Sequence, residues 1–136
     1  MTQQPPIRDV NLLALKALPA AGATNYSDSI DLGDQSPGQS KLDGFQFEVA
    51  IPALPSLADA KTYTGTLQDS ADNTTFVDIA PLASITRLGA GGVGAAAKTQ
   101  LYPLPKDLRR YVRLKNVMLA AAGDNTAVSV TLSLVR

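Results

Sequence analysis

The side chains in this sequence best placed to do chemistry are its aspartates. Asp69, Asp72 and Asp78 sit around the hairpin turn Gln68-Asp69-Ser70-Ala71-Asp72-Asn73, and carboxylates two or three residues apart on a loop suit Ca²⁺, which takes about six to eight oxygens. The run lacks the glycine and the late glutamate of an EF-hand loop. Asp and Asn are also the residues a turn uses to bond its own backbone, so the segment reads as a turn and no metal ligand is assigned. Asp28, Asp31 and Asp34 form a second acidic group, which a two-carboxylate glycosidase could use. That chemistry needs aromatic platforms, and the chain has no Trp, four Tyr and three Phe. The run Gly89-Ala90-Gly91-Gly92-Val93-Gly94 matches a phosphate loop in glycine content alone, without the following helix or a Gly-Lys-Ser/Thr. It reads as a flexible surface loop that orders against a partner. Lys106 to Lys115 is the one dense basic patch, with Arg109, Arg110, Arg113 and Tyr111. It reads as a protein-facing patch, or as the source of ion pairs to the Asp-rich turns.

Composition narrows these options further. The 136 residues include no His and no Cys, which removes histidine general bases, thiolate nucleophiles, Cys/His zinc sites and disulfides. Lys plus Arg and Asp plus Glu are 12 each, so there is no net electrostatic drive toward nucleic acid or an anionic membrane. Charged residues make up 18%, below the roughly 25% of an average globular domain. A surface so short of charge implies that part of it is covered by another protein. The expectation is a structural protein, not an enzyme, with no cofactor. The opening Met1-Thr2-Gln3-Gln4-Pro5-Pro6 has no basic start and apolar core, so no secretory signal is read there.

Strands must position whatever these residues do. Eleven of the twelve acids are Asp, with Glu48 the exception, and Asp favours caps and turns over helix interiors. Phe45, Phe47, Val49 and Ile51 alternate with polar or small residues. So do Tyr63, Gly65 and Leu67, then Val112 and Leu114, then Val128, Val130, Leu132 and Leu134. Period two is the mark of a half-buried strand. Lys61–Asp69 and Phe76–Ile79 read as a hairpin about the 70–75 turn. The expected fold is all-β, an antiparallel sandwich with jelly-roll as the leading topology. Residues 1–24 form an N-terminal arm or first strand, and 25–136 the single sandwich domain. Periodicity leaves Leu12 to Leu18 open between strand and short helix, and either reading buries its leucines. The stretch 1–18 is the natural tether to a neighbour. Ile7, Leu12, Leu13, Leu15 and Leu18, with Arg109 and Arg110, are the expected protein-contact residues.

Three segments taken together resemble a known family. Asn25-Tyr26-Ser27-Asp28-Ser29-Ile30-Asp31-Leu32-Gly33, Thr62-Tyr63-Thr64-Gly65-Thr66-Leu67-Gln68-Asp69-Ser70-Ala71-Asp72 and Arg110-Tyr111-Val112-Arg113-Leu114 are similar in order to tailed-phage capsid cement (decoration) proteins of the Bordetella podophage type. The likeness runs from about residue 10 to the end of the chain. It implies a jelly-roll on the outside of an icosahedral HK97-like shell, made in the host cytoplasm, dimerising and bridging capsomers. The implied partners are the major capsid protein and a second copy of the chain. It carries no catalytic motif. The rival expectation is a glycan- or receptor-binding sandwich of a phage tail or baseplate, with Tyr26, Tyr63, Tyr102 and Asp28 as its candidate cleft.

Overall fold

The computed structural model describes residues 12–33 and 45–135. Among the described residues ten strands follow one another: β1 (Leu13–Ala17), β2 (Thr24–Tyr26), β3 (Ile30–Asp31), β4 (Gln46–Ile51), β5 (Thr62–Ser70), β6 (Val77–Asp78), β7 (Ile85–Leu88), β8 (Lys98–Pro103), β9 (Tyr111–Met118) and β10 (Ser129–Val135). The described residues contain no α-helix. The strands form two antiparallel sheets. One has the order β1-β10-β4-β8; in the other β2 and β3 lie along one side of β9, β5 along its other side, and β6 and β7 along the far side of β5. The sheets enclose one core, so the chain is an all-β antiparallel sandwich.

Alternation decides which face each strand buries. Phe47, Val49 and Ile51 of β4, Tyr63 and Leu67 of β5, Val112, Leu114 and Met118 of β9, and Val130, Leu132 and Leu134 of β10 all turn inward. Burying a side chain of this size stabilises the fold by about 1.5–3 kcal/mol before chain entropy is counted. β10 begins at Ser129 rather than near Asn125, because the buried Asn125 side chain donates to the Ala122 carbonyl at 3.2 Å and Val128 N–H donates to the Asn125 carbonyl at 3.4 Å. Those bonds make a turn of the segment ahead of the strand. β2 and β3 act as one broken strand. Between them Leu114 N–H donates to Ser27 Oγ at 2.9 Å, so a side chain completes the ladder where the backbone departs from it.

The stretch 12–18 is a strand, and its leucines divide by face. Leu18 is 2% exposed and Ala14 5%, whereas Leu13 is 41% and Leu15 62% exposed. The expectation that all the leucines are buried therefore fails. Pairing of β1 with β10 puts Leu13 opposite Ser133 and Leu15 opposite Thr131, on the outward side of the sheet, because successive strand residues point to opposite faces. The proposed tether 1–18 thus includes an edge strand of the sandwich; its earlier part, including Ile7, lies outside the described residues.

A polar chain, buried at its Tyr63–Asn116 end and exposed where it reaches β1, links the sheets at this edge. Tyr63 Oη donates to Asn116 Oδ1 at 2.7 Å, Asn116 Nδ2 donates to Asn25 Oδ1 at 3.1 Å, and Asn25 Nδ2 donates to the β1 carbonyl of Ala17 at 2.8 Å. Burial, with Tyr102 nearby, raises the Tyr63 hydroxyl far above its usual range, so it remains a donor. Tyr63→Phe is expected to lower unfolding free energy by about 1–3 kcal/mol, because Asn116 Oδ1 loses its donor in a site closed to water. Urea denaturation with an unchanged slope checks this, and a cost below about 0.5 kcal/mol contradicts it.

The glycine-rich run is tied to its own chain, contrary to the expectation that it orders against a partner. Leu54 and Ala95 exchange backbone bonds at 2.8 and 3.0 Å, Gly92 N–H donates to Asp59 Oδ1 at 2.9 Å, and Gly89 N–H donates to the Lys61 carbonyl at 3.0 Å. These contacts fasten residues 89–95 onto the 54–61 connection. At the tip Val93 remains 75% exposed.

Candidate contact surface

Of the acids singled out in the sequence, Asp31, Asp69, Asp72 and Asp78 take separate structural roles, while Asp34 lies outside the described residues. Asp72 Oδ1 accepts from Thr74 N–H at 2.9 Å, Thr75 N–H at 3.0 Å and Ser70 Oγ at 2.8 Å. The two backbone donors and the hydroxyl, in the order Thr75, Thr74, Ser70, lower its pKa from 3.8 to about 2. This is a side chain closing its own turn, as the sequence suggested. Asp78 Oδ1 accepts from Gln68 Nε2 at 2.8 Å. Asp69 holds Arg109: Oδ1 accepts from Nε at 3.0 Å and from a terminal guanidinium nitrogen at 2.8 Å, and Oδ2 accepts from Arg109 N–H at 3.1 Å. Among the described residues no group of three or more acids is arranged to hold a metal ion.

The basic patch is likewise engaged within the chain. Arg110 makes a two-pronged bond to Asp31, Nε to Oδ1 at 2.7 Å and a terminal nitrogen to Oδ2 at 2.9 Å. The Arg110 bond, with Gly33 N–H, lowers the Asp31 pKa. Arg113 lies between two rings, 3.9 Å from the Tyr26 centroid and 4.0 Å from that of Phe76. Its Nε donates to Gln68 Oε1 at 3.0 Å. A guanidinium stacked this way gains about 0.5–2 kcal/mol from the ring quadrupoles. Arg109 and Arg110, expected as contact residues, therefore serve first as internal ion-pair partners, one to each Asp-rich segment.

Beside the Asp69–Arg109 pair runs an open groove of about 470 Å³, lined also by Val77, Ile79, Pro81, Pro105 and Leu108. The groove is of ligand size and mostly apolar. The candidate aromatic cleft does not form: Tyr63 is 0% and Tyr102 8% exposed, and Tyr102 Oη donates to the Ala83 carbonyl at 2.6 Å. Tyr26 is half-exposed, with Arg113 over its ring.

The two outward sheet faces differ in kind. Outward positions of β1-β10-β4-β8 fall in cross-strand rows: Leu13, Ser133, Glu48 and Leu101, then Leu15, Thr131, Ala50 and Thr99, flanked by Ala17 with Ser129 and by Val135, Gln46 and Pro103. Glu48 is the single charged residue in this set. The other sheet turns out Asp31, Asp78, Arg113 and Lys115 among threonines. Both edges of the low-charge sheet are blunted. Lys16 on β1 and Lys98 on β8 stand at core-side positions, opposite Val130 and Ile51, and β8 ends at Pro103. Inward-phase lysines and terminal prolines oppose pairing with a further strand.

Of the expected contact residues, Leu13 and Leu15 are on this face, Leu18 is in the core and Leu12 packs partly against it. The sequence reading missed Leu101, 47% exposed on β8. Its signal was the alternation Thr99-Gln100-Leu101-Tyr102, in which the buried Tyr102 fixes Leu101 as outward. No protein-family model matches the chain, and no curated protein matches it.

Proposed function

We propose that the chain is a non-enzymatic virion structural protein, a cement or decoration protein on the outer surface of an icosahedral tailed-phage shell. Its partners in this reading are the major capsid protein and a second copy of the chain, bridging capsomers. The observation that carries the reading is the contrast, among the described residues, between internally paired charges and one outward sheet face with almost no charge. A protein that stays in water gains solubility from charge on every face. One that rests on a larger assembly can leave a face bare.

The strand order supports a jelly-roll within the sandwich. With β2/β3 and β6/β7 each counted as one position, the ten strands occupy eight positions, ordered 1-8-3-6 and 2-7-4-5. The pairs 1 with 8, 2 with 7, 3 with 6 and 4 with 5 are nested, as in a long hairpin rolled into two Greek keys. The glycan-module alternative is weakened by the burial of Tyr63 and Tyr102.

The test is cryo-EM of the protein mixed with expanded empty shells of a phage that encodes it. Regular added density on the outer surface is expected. Binding on a glycan array with no density on shells overturns the proposal in favour of the tail or baseplate module.

A further inference from the structure

We infer that the outward face of β1-β10-β4-β8 is the surface that lies on the shell, with the charged face of the other sheet turned away from it. This inference rests on the decoration reading and says which of the two sheet faces meets the partner. Leu13 and Leu15 stand at one edge and Leu101 at the other, three strand spacings or about 14 Å apart. Between them Thr131, Ala50 and Ser129 make a shallow floor of small, partly exposed side chains, with Ser133 itself buried. Leucine rims around a hydroxyl-and-methyl floor lose little by leaving water, since the small hydroxyls can exchange bonds with a partner backbone.

Charge matching selects the kind of surface. Among the described residues this face carries one charge, Glu48, so a partner rich in Lys, Arg, Asp or Glu would have those groups stripped of water against it with little counter-charge, at a cost of several kcal/mol for each ion left unpaired. The fitting partner is a nearly uncharged protein surface. Area then separates a shell from a lone second copy. Four strands spaced about 4.8 Å apart, over rows spanning about 20 Å, give a footprint of about 400 Å². A standard interface buries about 800 Å² on each partner, so two copies stacked on this face alone make too small a contact. A larger protein surface adds contacts to the loops at both ends of the sheet, and the blunted edges at Lys16, Lys98 and Pro103 turn binding away from strand addition toward the face.

The experiment compares two double variants in co-sedimentation with purified expanded empty shells. Leu15→Glu with Leu101→Glu places two charges on the proposed face; Thr24→Glu with Thr86→Glu places two on the outward face of the other sheet. All four positions are exposed, and unchanged urea midpoints verify that both variants fold. The first pair is expected to weaken shell binding at least about tenfold, and the second to change it less than about twofold. Undiminished binding by the first pair overturns the docking face while leaving the decoration reading intact, as does selective loss with the second pair. Failure of the unaltered protein to sediment with shells overturns both.

Discussion

Gly94→Ala is expected to cost about 2–5 kcal/mol of folding free energy, at its upper end enough to unfold a marginal domain at 37 °C. Two terms add. Gly94 has φ +73°, a left-handed conformation that costs a residue with a Cβ about 1–2 kcal/mol. A Cβ there would also stand 1.8 Å from the Leu54 carbonyl oxygen and 2.8 Å from the carbonyl carbons of Leu54 and Pro55. These are backbone atoms held by the Leu54–Ala95 bonds, so relief requires that bridge to open. Overpacking of this kind adds about 1–3 kcal/mol. Gly92→Ala is the control: its φ is +71°, but nothing lies within 4 Å of the added carbon. It should cost only about 1 kcal/mol, the left-handed term alone. Denaturant titration of both variants decides the matter, and equal costs would show that the close approach to Leu54 carries no energy.

The second large effect is expected at the Asp69–Arg109 pair. Asp69→Ala should destabilise the fold by about 2–3 kcal/mol. Removing one partner of a buried pair typically costs about 3–5 kcal/mol, and the figure is reduced because the Arg109 side chain keeps 37% of its exposure, where water can hydrate the abandoned guanidinium. Asp31→Ala removes the partner of Arg110 from a pair in which both side chains are nearly half exposed, and should cost about 1 kcal/mol or less. A double-mutant cycle on Asp69 and Arg109 should return a coupling of at least about 1 kcal/mol. Coupling near zero, or a larger loss from Asp31→Ala, would contradict the ranking drawn from burial. Asp69 and Arg109 both line the 470 Å³ groove, so the same substitution also removes a wall of that groove.

The difference between these residues shows what local sequence can reveal. Strands β4, β5, β9 and β10 were legible because each carries a period-two run in which large apolar residues alternate with Gln, Thr, Lys or Ser, and one-dimensional periodicity is enough to place such a face. The Asp72 turn was legible for a related reason: its bonds reach only two or three residues along the chain. β1 was not, because Leu13-Ala14-Leu15-Lys16-Ala17 sets the larger apolar residues outward and Ala14 and Lys16 inward, so hydrophobicity points to the wrong face when no partner is known. The bonding of Asp69 to Arg109 spans 40 residues and that of Arg110 to Asp31 spans 79. Composition suggested that the basic patch would meet acidic turns, but which cation meets which acid depends on strand order. The glycine run looked loose for the same reason. Its restraints come from Leu54, Asp59 and Lys61, which no local reading connects to it.

Strand β10, last of the ten in chain order, sits between β1 and β4 and pairs with both. Among the described residues β1 has no other neighbour in its sheet, and β4 otherwise pairs only with β8. The low-charge sheet therefore closes only when β10 docks, whereas β9 can join β5, β2 and β3 without it. In the decoration proposal this makes the docking face conditional on one strand, and a chain whose β10 has not docked does not present it.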